Sequence, residues 1–321
     1  MAQPLKTRLA TLFPHVQHPV IFSAPMLGTA NSSLAAEVSK AGGLGILPGG
    51  FDFTPSSPQL TTLDTELSAI RTKLNLNLNP NPNHPNLTKQ EEKQTLPIGT
   101  GFILSHPSFR THFLTTALPI LLTHRPAAIW LFAPRPEDIS SGAVRLAVAA
   151  LKREGFVVMF QVGTVAAARQ AVLDGADVLV CQGVDAGGHQ FAAGGAGVFT
   201  VAEEAWTPEF RKKLILGTTD GGPATVKTPV LDDIQGTPIW PDIYDGRALA
   251  GKSWQDHAAG MPLEENIRLF QEADKAGDQS RKITWVGTGV GLVKRIQPAG
   301  DIVREVREDA IRRIQSLQFA F

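Results

Sequence analysis

The chain has 321 residues, 43% of them hydrophobic and 19% charged, and its 30 basic side chains are matched by 30 acidic ones. That balance argues against nucleic acid or an anionic membrane surface as a partner, and no apolar run reaches the ~18 residues of a membrane span. A single cysteine excludes an internal disulfide, and the opening residues lack the apolar core of a secretory signal, so a reducing, cytoplasmic setting is expected.

In chain order, Val20 to Ser23 is predicted as a short strand ending at Ala24-Pro25-Met26. Asn31 can cap a helix running to Lys40, with Leu34, Ala35 and Val38 turned inward. Ala41-Gly42-Gly43 closes that helix and Leu44 to Leu47 is the second strand, so the order is that of a βα unit feeding a parallel neighbour. Thr61 to Lys73 is a predicted helix. Asn75 to Asn86 alternates Asn with Leu and Pro and predicts an irregular surface loop. Leu96 to Phe102 is the third strand, and its Gly99-Thr100-Gly101 lets the backbone come close to a ligand at Gly101. Helices over Phe109 to Leu122, Asp138 to Arg153 and Val165 to Leu173 then alternate with strands over Ala128 to Phe132 and Phe156 to Val162. Val144, Ala147, Val148 and Leu151 form the inner stripe of the middle helix.

The sixth strand enters the most informative stretch, Asp177 to Gln190, DVLVCQGVDAGGHQ. Val178 to Cys181 has the continuous apolar character of a strand buried on both faces, which makes Cys181 a small core residue rather than a nucleophile. Gln182, Gly183, Asp185, Gly187, Gly188 and His189 follow, all polar or backbone-permissive. In an α/β fold such a loop, at a strand's carboxyl end, is where ligands are held. Two glycines admit a ligand closely, and the imidazole can move a proton near neutral pH.

Six strands alternating with helices predict an α/β fold of (β/α)8 TIM-barrel type. Two further units of about 30 residues each are needed to close it, and the chain after His189 does not supply them. An internal deletion of one to two units is therefore expected, leaving the barrel incomplete after the sixth strand. The expected organisation is a barrel over 1–201 and a C-terminal extension with packing helices over 202–321. Leu263 to Ala276 and Asp301 to Leu317 are predicted helices, and Gly287, Gly289 and Gly291 a loop.

The residues quoted above also carry a family resemblance. Ala24-Pro25-Met26, Ala41-Gly42-Gly43-Leu44-Gly45 and the run Gln182-Gly183, Asp185, Ala186-Gly187-Gly188-His189 resemble the motifs of the nitronate monooxygenase (2-nitropropane dioxygenase) family. Asp185 stands where Glu is commoner. The resemblance implies an FMN-dependent oxidation of small nitronates or nitroalkanes by molecular oxygen. It implies that Ala24, Pro25 and Met26 lie against the flavin, that Gln182 hydrogen-bonds it, and that Gly187 and Gly188 offer backbone N–H groups. His189 is implied as the proton acceptor. The family's phosphate-binding turns have no clear match; Gly194 and Gly195 are the nearest candidates. Resemblance resumes at Leu216 to Gly222, Trp240 to Ala250 and Glu264-Glu265-Asn266. Two alternatives stand beside this reading: a related flavin-dependent enoyl-thioester reductase, and a truncated paralogue with impaired FMN binding. No GxSxG, HExxH, paired-cysteine or GxxxxGK[ST] motif occurs, so neither a metal site nor a nucleotide cradle is expected.

Overall fold

A computed structural model of the chain describes residues 8–76, 95–192, 213 and 217–318. Most of the predicted Asn/Pro loop, Gly194, Gly195 and the stretch to residue 212 lie outside the described residues. Two compact units divide the chain. Unit 1 comprises Met1–Phe160, Asp174–Val178 and Gln297–Phe321, and unit 2 comprises Gln161–Leu173 and Leu179–Ile296.

Unit 1 is the regular βα part. Its helices are α1 (Arg8–Leu12), α2 (Ser32–Lys40), α3 (Pro58–Lys73), α4 (Ser108–His124), α5 (Pro136–Ser140) and α6 (Ala143–Arg153). Its strands are β1 (Gly45–Gly50), β2 (Leu96–Ile103), β3 (Pro126–Phe132) and most of β4 (Val157–Val162). The sheet order is β1-β2-β3-β4-β5, where β5 is Val178–Cys181, and the pairs from β1 through β4 are parallel. The capping prediction for α2 is met: the Asn31 carboxamide accepts from the N–H groups of Ser33 and Leu34 at 3.0 and 3.1 Å. Gly42, at φ +76°, supplies the left-handed turn that ends the helix.

Alternation along β2 explains where the core sits. Phe102 points to one face, where it meets Phe53 and Phe113 at centroid separations of 5.8 and 5.5 Å; Phe109 completes the cluster. These four rings, all nearly inaccessible, bury the α4 side of the sheet. Gly99 and Gly101 point to the opposite face, in register with Ala128 and Trp130 of β3.

The structure departs from the sequence reading at several points. The first predicted strand is reduced to a single parallel bridge, Phe22 to Leu44. The helix expected over Asp138 to Arg153 is two, because Gly142 adopts φ +77° between α5 and α6. Asp138, which would have continued it, is buried and accepts from the Arg110 guanidinium. The β5 strand is half-buried, and Cys181 is exposed rather than part of the core. The reason lies in the sheet order: among the described residues β5 is the outermost strand, paired on one side.

Unit 2 contains α7 (Val165–Asp174, apart from its last residue) and an antiparallel sheet of order β6-β8-β7. Here β6 is Gly188–Phe191, β7 is Thr225–Thr228 and β8 is Tyr244–Leu249. Among the described residues, α8 (Gly221–Ala224), α9 (Val230–Gln235), α10 (Lys252–Ala258) and α11 (Leu263–Lys275) accompany it. The residues from 188 on, expected as loop, thus form a strand, because β8 supplies a ladder partner more than fifty residues away. Gly287 to Gly291, also expected as loop, wind into a 3-10 turn over Thr288–Leu292. The last helix, α12 (Ala299–Gln318), returns to unit 1, where Ala299 and Val303 pack on Leu34 and Val38 of α2.

Candidate functional site

In unit 1 the Ala24-Pro25-Met26 segment is laid along β1. The Ser23 N–H donates to the Leu44 carbonyl at 3.1 Å, and the Ser23 hydroxyl accepts from the Ile46 N–H at 2.8 Å. Met26 is half-buried against the cluster of Leu34, Val38 and Val303, so its side chain is a packing element. Pro25 meets Gly101, where an added Cβ would stand 2.4 Å from the Pro25 Cβ. The absence of a side chain at Gly101 is therefore required by Pro25 itself. The structure brings these two predicted residues together.

The carboxyl ends of β1 and β2 also carry polar groups that the sequence did not single out. His106 Nδ1 lies 2.6 Å from the Ser108 hydroxyl and 4.0 Å from Asp52 Oδ1. Burial alone would raise the Asp52 carboxyl, but hydrogen bonds from the Thr54 N–H and hydroxyl, with His106 nearby, hold it below the usual carboxylate range.

In unit 2 the signature turn is stitched from several sides. The Arg247 Nε donates to the Val184 carbonyl at 2.9 Å, and the Gln190 amide donates to the carbonyls of Val184 and Ala186 at 3.1 and 2.8 Å. The Thr288 N–H donates to the Asp185 carbonyl at 2.9 Å. Gly187 backs directly onto the Val286-Gly287 backbone, so a Cβ there would come within 2.5 Å of the Gly287 nitrogen. Its bare Cα serves chain packing. Gly188, at φ +72°, differs: a Cβ there would meet nothing within 4 Å.

His189 follows on β6. Its Nε2 lies 2.7 Å from Asp232 Oδ1 on α9, and Asp232 also accepts from the Thr237 hydroxyl at 3.1 Å. The Trp240 ring stacks on the imidazole at 3.8 Å and 8°, and Trp285 approaches at 4.6 Å and 50°. Both His189 and Asp232 are largely shielded, with side-chain exposures of 16% and 7%. A carboxylate only accepts, so this bond puts the hydrogen on Nε2 and leaves the Nδ1 lone pair open. Among the described residues nothing hydrogen-bonds to Nδ1. Behind this group, burial pushes the Tyr244 phenol well above its ordinary value.

Sequence reasoning missed Asp232 and Trp285, and included Arg247 only within the resemblance at Trp240 to Ala250. Each acts across at least 40 residues of chain, and a lone Asp or Trp in an amphipathic context carries no local signal. Trp240 was noted only within the resemblance at Trp240 to Ala250.

The residues present fit the ring portion of a flavin. Gln182, at the carboxyl end of β5, is buried; its Oε1 accepts from Gln161 Nε2. Its own amide N–H groups have no partner among the described residues, which leaves a donor for a heteroaromatic ring. Gly188 leaves its backbone uncovered by a side chain. The candidate phosphate turn at Gly194 and Gly195 lies outside the described residues.

Solved structures with this fold are barrel enzymes. FabK of Thermotoga maritima superposes with a TM-score of 0.65 at 20% identity, over 98% of this chain and 99% of that one. The nitroalkane oxidase of Streptomyces ansochromogenes gives 0.56 at 18%, over 97% and 99%. The fold is thus of the (β/α) TIM-barrel type. The nitronate monooxygenase family model matches residues 123–207, which include the signature turn and His189. A nitronate monooxygenase of Neurospora crassa is 45% identical over 99% of this chain and 96% of its own length. One of Metarhizium robertsii is 30% identical over 95% and 94%. The chain belongs to the nitronate monooxygenase family, whose members are flavin-dependent oxidoreductases.

The Neurospora alignment spans 372 positions, whereas 99% of 321 residues is about 318, so about 54 aligned positions have no residue in this chain.

Proposed function

We propose that the protein oxidises alkyl nitronates, and nitroalkanes after deprotonation, with molecular oxygen, and that its flavin is FMN. The observation that carries this reading is His189, with one ring nitrogen held by a carboxylate and the other unpartnered, directly after the Ala-Gly-Gly of the family signature. Flavin, when bound, supplies the electron acceptor and the reaction with oxygen. The chain supplies the rest. Gln182 donates a hydrogen bond to the ring, Gly188 presents bare backbone, and Ala24, Pro25, Met26 and Gly101 are the further cofactor residues that the family resemblance carries. Gly187 belongs with them by resemblance, although its close packing on Val286-Gly287 gives it a structural task as well.

His189 takes the proton from the carbon next to the nitro group, a step for which a positioned general base contributes about 10²–10⁴-fold. Trp240 stacks on one face of the ring and Trp285 packs against it at a tilt, which holds the imidazole in place. A pre-formed nitronate needs no such base. We place the missing βα units after His189 and the enzyme in the cytoplasm.

The test is oxygen uptake by the purified chain with a pre-formed nitronate, with the visible spectrum and released cofactor analysed in parallel. Oxygen consumption with FMN as the released flavin is expected. Absence of turnover in preparations saturated with FMN would reject the enzymatic reading and favour the truncated, silent paralogue.

A further inference from the structure

The pair formed by His189 and Asp232 carries a consequence for which ring nitrogen does the chemistry. We propose that Asp232 is the positioning residue that fixes the His189 tautomer, so that Nδ1, and not Nε2, receives the substrate proton. The proposal rests on the reading of His189 as the base.

Three observations lead to it. First, the 2.7 Å contact runs from Nε2 to Oδ1, and a carboxylate can only accept, so Nε2 carries the hydrogen in the neutral ring. Second, Asp232 is itself held: its Oδ1 takes a bond from the Thr237 hydroxyl at 3.1 Å, its carbonyl takes one from the Thr237 N–H at 2.9 Å, and it sits in α9 beside the buried Leu231 and Ile234. The backbone bond fixes the position of Asp232, and its carboxylate cannot swing away from Nε2 without giving up the Thr237 hydroxyl. Third, Trp240 stacks on one face of the imidazole at 3.8 Å, and Trp285 lies against the ring at 4.6 Å and 50°. With Nε2 capped by Asp232 and one face stacked on Trp240, the nitrogen left without a hydrogen-bond partner among the described residues is Nδ1.

The proton step then balances simply. The C–H bond beside the nitro group breaks, and its electron pair becomes the carbon–nitrogen double bond of the nitronate. The proton passes to Nδ1. The ring becomes imidazolium, and its new positive charge is met by the Asp232 carboxylate at Nε2. The nitronate leaves with the negative charge.

A purely structural role is the competing account, in which His189 and Asp232 merely fasten β6 to α9. Two measurements separate the accounts. The first needs no cofactor: a long-range proton–nitrogen correlation spectrum of the chain with nitrogen-15 histidine, taken where the ring is neutral and assigned by comparison with His189→Gln. The proposal expects a protonated Nε2 and an unprotonated Nδ1; the opposite tautomer or an even mixture overturns it. The second is Asp232→Asn in the flavin-loaded protein, since Asn keeps the shape but can donate as well as accept. Turnover of a neutral nitroalkane is expected to fall about 10²-fold or more, as when a base is left in the wrong tautomer. Turnover of the pre-formed nitronate should stay within a few-fold, and the isotope effect from deuterium on the acidic carbon should rise. Equal loss on both substrates, or no loss on either, overturns the proposal. Should the variant fail to fold, or the native chain oxidise neither substrate, the tautomer spectrum alone decides. The second of those results rejects the proposed function without touching the tautomer.

Discussion

Unit 1 and unit 2 are stabilised by different means. In unit 1 the Phe53, Phe102, Phe109 and Phe113 cluster and the α2–α12 contact bury apolar side chains at regular helical and strand spacing. In unit 2 the strands are four to six residues long, and much of the order comes from side chains bonded to distant backbone, as with Arg247 and Gln190 on the signature turn. Buried Asn266, which donates to the Ser253 carbonyl and accepts from Arg281, does the same between α10 and α11. Apolar burial is roughly proportional to area and tolerates small shifts, whereas a buried polar bond fails outright when one partner goes. Unit 1 should therefore respond to lost volume and unit 2 to lost partners.

The sharpest test removes a partner where chemistry depends on it. His189→Ala should leave unit 1 untouched and lower turnover of neutral nitroalkanes by about 10²–10⁴, with a smaller loss on pre-formed nitronates. Steady-state kinetics on both substrates checks this, and equal losses would assign His189 to positioning. Next comes volume: Phe53→Ala should cost about 3–5 kcal/mol in urea unfolding, because the ring is wholly buried among three other phenylalanines. A loss under about 1 kcal/mol would mean that the cluster does not hold unit 1. Asn266→Ala should cost less, about 1–3 kcal/mol, by stranding the Ser253 carbonyl and one Arg281 N–H. If it matched Phe53→Ala, the contrast between the units would dissolve.

The smallest effect expected is the response to acid. Burial would raise the Asp256 carboxyl, but hydrogen bonds from Lys252 and Arg281 outweigh it and hold it below its usual range. Asp278 is held down by the Ser280 N–H and hydroxyl. A carboxylate depressed in the folded state stabilises above its unfolded pKa and loses that contribution as pH falls through the folded value. Unit 2 should thus loosen on acidification below about pH 4, whereas charge-neutral changes above it leave these contacts intact. Tryptophan fluorescence of Trp240, Trp254 and Trp285 against pH would report it.

The same contrast decides how much could be read from sequence. The helices and strands of unit 1 follow apolar spacing, and the Asn31 cap and the Gly42 turn are local chemistry, so their positions were legible to within a few residues. The family signature named His189 and Gln182. What stayed hidden was non-local. Nothing in Val230 to Gln235 shows that Asp232 will meet an imidazole 43 residues earlier, and nothing in Gly188 to Phe191 shows that β8 will pair with it. The exposed Cys181 was misread because apolar composition cannot tell a central strand from one at an edge.

One feature of the topology bears on how the protein is made. Unit 2 interrupts unit 1, and α12 closes the latter from the far end of the chain: Val303 packs on α2, and the Arg307 guanidinium donates to the carbonyls of Ala41 and Gly42 at 2.9 Å. The middle strand of the unit 2 sheet, β8, also comes late, at Tyr244–Leu249. A ribosome delivers residues in order, at about 5–20 per second. For many seconds of each synthesis the nascent chain therefore holds β1 to β4 without their terminal helix and the signature turn without its ladder partner. Neither unit can finish early, so the chain spends its translation with apolar surface on show, and its yield in a cell should depend on chaperones that shield such surface until residue 318 has emerged.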